Sequence, residues 1–496
     1  MSADIMITGW GQITQPKQAT PPWMEPIDMM ERAARDAAAQ AGINALNAID
    51  TLLVVRPQSR VPVKPGEELA RRLGIQPRRI ELSGIGGQVP QQYVNRAAGL
   101  LARGEAETVL LVGAETYYPR SADAVRGEQA LIQGIPDDYG EEDAVGSNAL
   151  EMRHGLSLPI HGFPLFEVAL WAQSGLSREQ WLAKVGAMWA GFSEAAARHP
   201  NAWTRTPFGA SAITTPSADN RPIALPYTKR MVSLVMADIG AAIILTTAAR
   251  AATLRGGAGT PVYFSGGGFA KDKQRFMVEK ERYTRSPALE QAADKAQRRA
   301  GLAADDVECF DLYSCFPCAV TVARNTLGLT DDDRRPLTLT GGLGFFGGPG
   351  SNYALHGVAT MAESLAAGRY RSGMTTALGW FMHKYAVGLY SVTPNGVDLR
   401  GHDLEDQAHP DAGAGPVAIA EQAQGEGSIE TYTVIYDRDQ QPARALVYGR
   451  TDDGLRFVAN TDGSAASFAA LSGENQVGRR VRLRHAGGIN IAEFTD

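Results

Sequence analysis

A chain of 496 residues is longer than a single hydrophobic core usually supports, so two to four domains or lobes are expected. With 44% hydrophobic and 21% charged residues and a formal net charge of −6, it reads as a soluble globular protein with no general attraction for nucleic acid or an anionic membrane. Three cysteines exclude a disulfide framework and point to a reducing compartment, so a cytoplasmic protein is expected.

The opening MSADIMITGWGQIT lacks the basic and apolar regions of a signal peptide. Strand-like DIMITGWGQI (4–13) is followed by a helical pattern closed by glycine, PIDMMERAARDAAAQAG (26–42), and by strand-like AIDTLLVVR (48–56). A glycine-rich loop, LSGIGGQVPQQYVN (82–95), feeds a second helix that ends at Gly104, and TVLLVGAE (108–115) reads as a further strand. This alternation implies βαβ units around a largely buried sheet.

From 119 to 219 the texture changes. Charged loops such as GIPDDYGEEDAVG (134–146) surround two helical patterns that carry Trp171, Trp181 and Trp189, and Trp203 follows them. The spacing suggests an insertion capping a cleft. The most apolar stretch, 231–252, contains Asp238 and falls short of the roughly 18 uninterrupted apolar residues of a membrane span, so a buried strand is expected instead.

A second half begins near Ser286 and again runs helix (286–302), strand (306–314), helix (355–369) and two strands (373–382, 385–394), the pattern of an internal duplication. A Pro/Gly/Ala-rich linker spans 401–428. Beyond it, three strand patterns, a short helix and two more strands follow the element order of a five-stranded OB-type barrel, 429–496.

Four loops hold the residues that could do chemistry. DLYSCFPCAV (311–320) carries Cys315 and Cys318, whose C-x-x-C spacing fits half a zinc site, a redox pair, core packing or an active-site loop. Zinc needs four ligands, and the chain has no second C-x-x-C and no H-x-x-x-H. Cys309 falls within the preceding strand. GGLGFFGGPGSNYALHG (341–357) brings glycine pairs to a helix start, where exposed N–H groups favour an anion or oxyanion, and it carries His356. The loop at 82–95 is the third, and ALGWFMHKYAVG (377–388), with His383, is the fourth. The basic strand GRRVRLRH (478–485) lacks the aromatic stripe of a nucleic-acid surface.

In this order, the four loops resemble the thiolase superfamily, whose active sites are built from a nucleophilic-cysteine loop, an N-E-A-F loop, a G-H-P loop and a C-x-G loop. The chain looks like the thiolase-like type 1 group, labelled acetyl-CoA acetyltransferase-like, and is more distantly similar to sterol carrier protein x thiolases. DLYSCFP, GGPGSNYALHG and VLLVGAET carry the match, and it extends over nearly the whole chain. The resemblance implies duplicated αβαβα layers, with 1–118 and 220–260 as the first half, 119–219 as the cap and 261–400 as the second half. It also implies an acyl-CoA substrate in lipid metabolism, with coenzyme A as substrate or product and no covalently bound cofactor. The assembly it implies is a homodimer or a pairing with another acyl-CoA enzyme.

The residues depart from that pattern. The nucleophile position falls on Gly87, the G-H-P histidine on Gly348, the C-x-G cysteine on Ala377, and the Asn and Glu of N-E-A-F on Tyr313 and Ser314. Two-step thiolysis needs all three main groups. Three readings stay open. In the first, a relocated set of Tyr313, Cys315, His356 and His383 carries acyl transfer or C–C bond cleavage and formation, with Gly87, Gly347, Gly348 and Asn352 binding substrate or oxyanion. In the second, the chain resembles tyrosine-dependent retro-aldolases of 3-hydroxyacyl-CoA, with Tyr313 and Tyr353 as the candidate tyrosines and the Gly347–Gly348 backbone as the oxyanion site. In the third, the protein is a catalytically silent CoA-thioester binder or scaffold.

Overall fold

The apolar runs separated by helical patterns build one continuous nine-stranded sheet made of two half-sheets. In this computed structural model, residues 4–42, 45–60, 64–120, 146–255, 260–406 and 411–494 are described. Positions 134–145 of the expected charged cap loop lie outside them. The strands are β1 (Ile5–Thr14), β2 (Thr51–Val54), β3 (Arg79–Leu82), β4 (Thr108–Thr116), a short hairpin β5 (Pro222–Ala224) and β6 (Tyr227–Thr228), then β7 (Asp238–Thr247), β8 (Tyr263–Lys271), β9 (Cys309–Asp311), β10 (Ser372–Gly379) and β11 (Lys384–Ser391). The sheet order is β3-β2-β4-β7-β1-β8-β11-β10-β9. The two halves meet at β1 and β8, which pair at Ile5–Phe264 and Met6–Tyr263.

Helices α1 (Pro26–Ala41) and α2 (Pro65–Leu73) cover the outer face of the first half-sheet. Helix α3 (Val89–Ala102) lies in the central layer, and α4 (Pro159–Ser174) and α5 (Arg178–Arg198) form the cap. Helices α6 (Pro287–Ala300) and α7 (Pro317–Leu327) cover the second half-sheet, and α8 (Tyr353–Ala366) packs beside α3 between the two. This is the five-layer αβαβα order. Strands β4, β10 and β11 are buried along their whole length, which is why their sequences read as apolar runs without polar alternation.

The duplication extends to the packing. A Cβ built on Gly9 of β1 would meet Ala41 Cβ of α1 at 2.9 Å, and one on Gly268 of β8 would meet Ala296 N of α6 at 3.0 Å. In both halves a glycine strand and an alanine-faced helix let the two backbones approach closely.

Strands β12 (Gly425–Tyr436), β13 (Pro442–Thr451), β14 (Arg456–Thr461), β15 (Arg480–Ala486) and β16 (Ile489–Phe494) close a barrel in the order β12-β13-β14-β16-β15-β12, with β14 and β16 parallel. Helix α9 (Ala465–Ser472) connects β14 to β15, as in an OB-like barrel. Val447, Phe457, Ala459 and Leu483 fill its interior, while Leu446, Tyr448 and Val458 face outward into the core of the αβαβα body. The first barrel strand begins at Gly425, inside the stretch expected as linker, and Ala420 N donates to Arg456 O at 2.8 Å. The Pro/Gly/Ala composition there hides a backbone that satisfies its hydrogen bonds on the barrel edge.

Candidate functional site

Helices α3 and α8 start at the same place, so the glycine-rich loops before them meet. Ser351 Oγ accepts from Gly86 N at 2.9 Å and from Gln58 Nε2 at 2.6 Å. The loop that follows β9 and the end of β10 close the same pocket, and this pocket is filled. A Cβ on Gly87 would lie 2.5 Å from Leu378 O, 2.6 Å from Tyr313 Cζ and closer still to Tyr313 Oη. The tyrosine ring and hydroxyl therefore occupy the space where a side chain at position 87 would stand.

Tyr313 is held from its backbone by Thr376 Oγ1, 2.9 Å from Tyr313 N. Its ring meets that of Tyr353 edge-on, with centroids 5.6 Å apart. Tyr353 Oη shares a 2.6 Å hydrogen bond with Thr340 Oγ1 and donates to Asp311 Oδ1 at 3.2 Å. The other Asp311 oxygen accepts from Leu339 N and Thr340 N at 2.8 and 3.0 Å. Burial pushes both tyrosine hydroxyls well above the usual phenol range, and the Asp311 carboxyl is raised for the same reason.

The expected set of Tyr313, Cys315, His356 and His383 does not assemble. Tyr313 and Cys315 are neighbours, but burial raises the Cys315 thiol far from thiolate chemistry, and Cys315 lies 7% exposed. His356 leaves the cleft because the third residue along α8 after Tyr353 faces β1: its Nδ1 pairs with Gln12 Oε1 at 2.8 Å. Phe346 stands between it and Tyr353, 4.9 Å from the imidazole and 6.0 Å from the phenol ring. Burial, then the neighbouring His199, pull His356 down to about 3. His383 follows a turn with Trp380 and Met382 at positive φ; its backbone O accepts from Asp272 N at 2.7 Å and neither ring nitrogen has a hydrogen-bond partner. It is 2% exposed, and burial followed by Lys280, Lys384, Arg275 and Lys271 keeps it neutral.

The expected oxyanion donors fare differently from one another. Gly348 N already donates to Leu234 O at 2.9 Å, so it is not free for a ligand. Gly347 adopts φ 110° to let the loop turn. Asn352, 1% exposed, presents Oδ1 and Nδ2 without hydrogen-bond partners, pressed against Gly113 of β4.

Cys318 Sγ donates to Phe163 O at 3.5 Å beside Glu167 and Tyr227, and Cys309 Sγ lies 3.7 Å from Met361 Sδ. All three thiols are buried and free. Among the described residues no group of His, Cys, Asp and Glu is suited to a metal ion. Cys315 and Cys318 sit buried at the junction between β9 and α7.

Sequence reasoning missed Glu115. It is the next-to-last residue of the buried strand β4, accepts from Ser59 N at 2.8 Å and from Gln58 N at 3.0 Å, and burial pushes it up to about 7. The available signal was an acidic residue near the end of an otherwise apolar strand.

A groove of about 1050 Å³ opens where the cap, the 232–236 segment, the Gly344–Phe345 loop and the barrel meet. Val232, Leu234, Met236, Phe345 and Ile435 make it apolar, and Lys17, Arg221, Lys229, Arg230 and Arg438 line it against two acids, Asp219 and Asp437. Arg230 lies over the Phe208 ring and donates to Ala212 O. Ser233 also lines the groove, and a Cβ on Gly348 would sit 2.8 Å from Ser233 Oγ, so the groove meets the glycine-rich loop at Gly344–Phe345 and Ser233 borders Gly348. No helix among the described residues is long and apolar enough to cross a membrane. On the barrel, Arg480, Arg482 and Arg484 are each ion-paired, to Asp452, Glu426 and Glu493, so three of the four arginines of the basic strand are paired.

Residues 411–488 match the family model for the thiolase-like protein type 1 additional C-terminal domain. The crystal structure of a monomeric SCP2-thiolase like protein type 1 from Mycobacterium smegmatis is 32% identical, with a TM-score of 0.84 and 99% coverage of both chains. An Ltp2–ChsH2(DUF35) aldolase is 18% identical, with a TM-score of 0.61 over 78% of this chain and 98% of its own. Acetyl-CoA acetyltransferase from Syntrophomonas wolfei is 13% identical, with a TM-score of 0.56 over 79% of this chain and 100% of its own. The last two share the fold. No curated protein sequence matches the chain.

Proposed function

The chain belongs to the SCP2-thiolase-like type 1 family, and on that premise we propose that it binds acyl-CoA thioesters without cleaving them by thiolysis. The observation that carries this reading is the contact between Gly87 and Tyr313. Thiolysis requires an acyl group to be carried on a nucleophile at that position, and the phenol fills the space such a side chain would need. A substitute nucleophile needs a base within hydrogen-bond reach, and neither His356 nor His383 hydrogen-bonds Cys315: His356 Nδ1 pairs with Gln12, and the other three ring nitrogens have no partner. The groove supports the binding half of the reading, since a thioester ligand joins anionic phosphates to an apolar arm and the groove joins basic side chains to apolar walls. A cytoplasmic setting and a place in lipid metabolism accompany this reading.

One observation favours a second reading, retro-aldol cleavage of a 3-hydroxyacyl-CoA. Tyr313 and Tyr353 stand edge-to-face beside Gly87, and the Tyr353 hydroxyl rests on a carboxylate that could receive its proton. The test is incubation with 3-ketoacyl- and 3-hydroxyacyl-CoAs, with and without free CoA, followed by mass spectrometry and calorimetric binding. Binding without turnover is expected. A shortened acyl-CoA that depends on added CoA would overturn the proposal. A free aldehyde or ketone formed without CoA would establish the second reading in its place.

A further inference from the structure

We infer that the fused barrel is itself part of the ligand site: its β12–β13 turn supplies Arg438, which with Lys229 grips the phosphate-bearing end of the thioester. This rests on the binding reading above and assigns one end of the ligand to named residues.

The first support is how the turn is held. The hairpin β5–β6 extends the barrel wall, with Ala224 opposite Ile435, Leu225 N donating to Val434 O at 2.9 Å and Thr433 Oγ1 donating to Leu225 O at 2.9 Å. The hairpin also carries Arg221 and Lys229, joined by Lys229 N to Arg221 O at 2.9 Å. The sheet that fixes Lys229 therefore fixes the turn, and the two cations line the same groove. The turn is itself built: Gln441 N donates to Asp437 Oδ1 at 2.8 Å and Asp437 N to Gln441 O at 2.9 Å. Asp437 is thereby engaged within the turn.

The second support is charge. Lys17, Lys229 and Arg438 line the same groove, and their side chains have no hydrogen-bond or ion-pair partner among the described residues. Most other arginines of the barrel are ion-paired. Unpaired cations and apolar side chains lining one groove fit a ligand with a multiply charged phosphate head and an apolar arm. Ser233 Oγ, shielded and without a partner at the inner end, is a hydroxyl placed for the carbonyl of that arm.

The third support is elimination within the barrel. Its interior is filled by side chains, and its β13–β14 face is buried on the body through Leu446, Tyr448 and Val458. OB-type barrels meet ligands through that face and the loops at its end, the first being the turn between strands one and two. Here the face is taken by the body and the first turn lies on the groove.

The experiment measures binding of decanoyl-CoA and of S-decanoyl-pantetheine, which lacks the phosphates, to the full chain. The variants are Arg438→Glu, Arg438→Gln and Lys229→Gln, with Arg482→Gln on the outer barrel wall as the charge control. Arg438→Glu is expected to weaken decanoyl-CoA about tenfold and to flatten its salt dependence, leaving the pantetheine ester and the control variant unchanged. If the unaltered chain binds decanoyl-CoA and the groove variants bind it equally well, the barrel assignment falls while the binding reading stands. If both ligands weaken together, the phosphate assignment is overturned. If the unaltered chain binds neither ligand, the binding reading falls and takes this inference with it.

Discussion

At Gly87 the absence of a side chain matters less than what has replaced it. A missing nucleophile alone would leave a hole, whereas Tyr313 closes it, so restoring the cysteine does not restore the site. Gly87→Cys is expected to destabilise the protein by about 1–3 kcal/mol, the usual range for overpacking a filled interior. Combining it with Tyr313→Ala should recover part of that loss and expose a thiol to a labelling reagent. Thermal unfolding checks this, and a single variant as stable as the parent would show that the tyrosine does not fill the space. Glu115 makes a second residue-scale expectation. Its folded value near 7 lies above the ordinary 4.5, so its stabilising protonated form is fully present below about 4.5 and is lost as pH rises toward 7. Denaturant midpoints across that window should fall less steeply for Glu115→Gln than for the parent, by about one proton. Equal slopes would contradict a protonated carboxyl in the fold.

At the scale of elements, most of the fold was legible. Buried strands β4 and β7 announced themselves as apolar runs, and the helix at 26–41 did so by its alanine stripe and closing Gly42. The duplication was legible as a repeated element order, because each half must cover its own sheet face. Strand β3, at Arg79–Leu82, was not, since four half-buried residues on a sheet edge carry no alternation strong enough to read. The site was legible in part. The sequence identified the loops that meet and the positions where thiolase groups are replaced. It misplaced His356 and His383, because a helix start and a turn after β10 do not reveal which neighbour a side chain will face. His356 turns to Gln12, 344 residues away in the chain.

At the scale of the molecule, the barrel is welded to the body. Glu151 Oε1 accepts from Tyr448 Oη at 3.2 Å, Asn490 N donates to His154 Nε2 at 2.9 Å, and the buried Arg456 reaches the Tyr283 hydroxyl across the same junction. These groups have no access to water, so separating barrel from body would strand several of them unpaired. Scanning calorimetry of the full chain is therefore expected to show one cooperative transition. A separate, earlier barrel transition would contradict a shared core.

By itself, the sequence determined the αβαβα class, the OB-like order of the last strands and the loss of the thiolase residue types from their matched positions. The strand order follows from period, composition and turn signals, which act over a few residues, while the layer class and the matched positions came from the resemblance of the loop motifs to a known family. The tertiary structure alone decided that Tyr313 fills the place beside Gly87, that the two histidines part company, and that a barrel turn borders the groove. Each of these depends on which distant surfaces pack together, and close packing selects side-chain directions that no local pattern encodes.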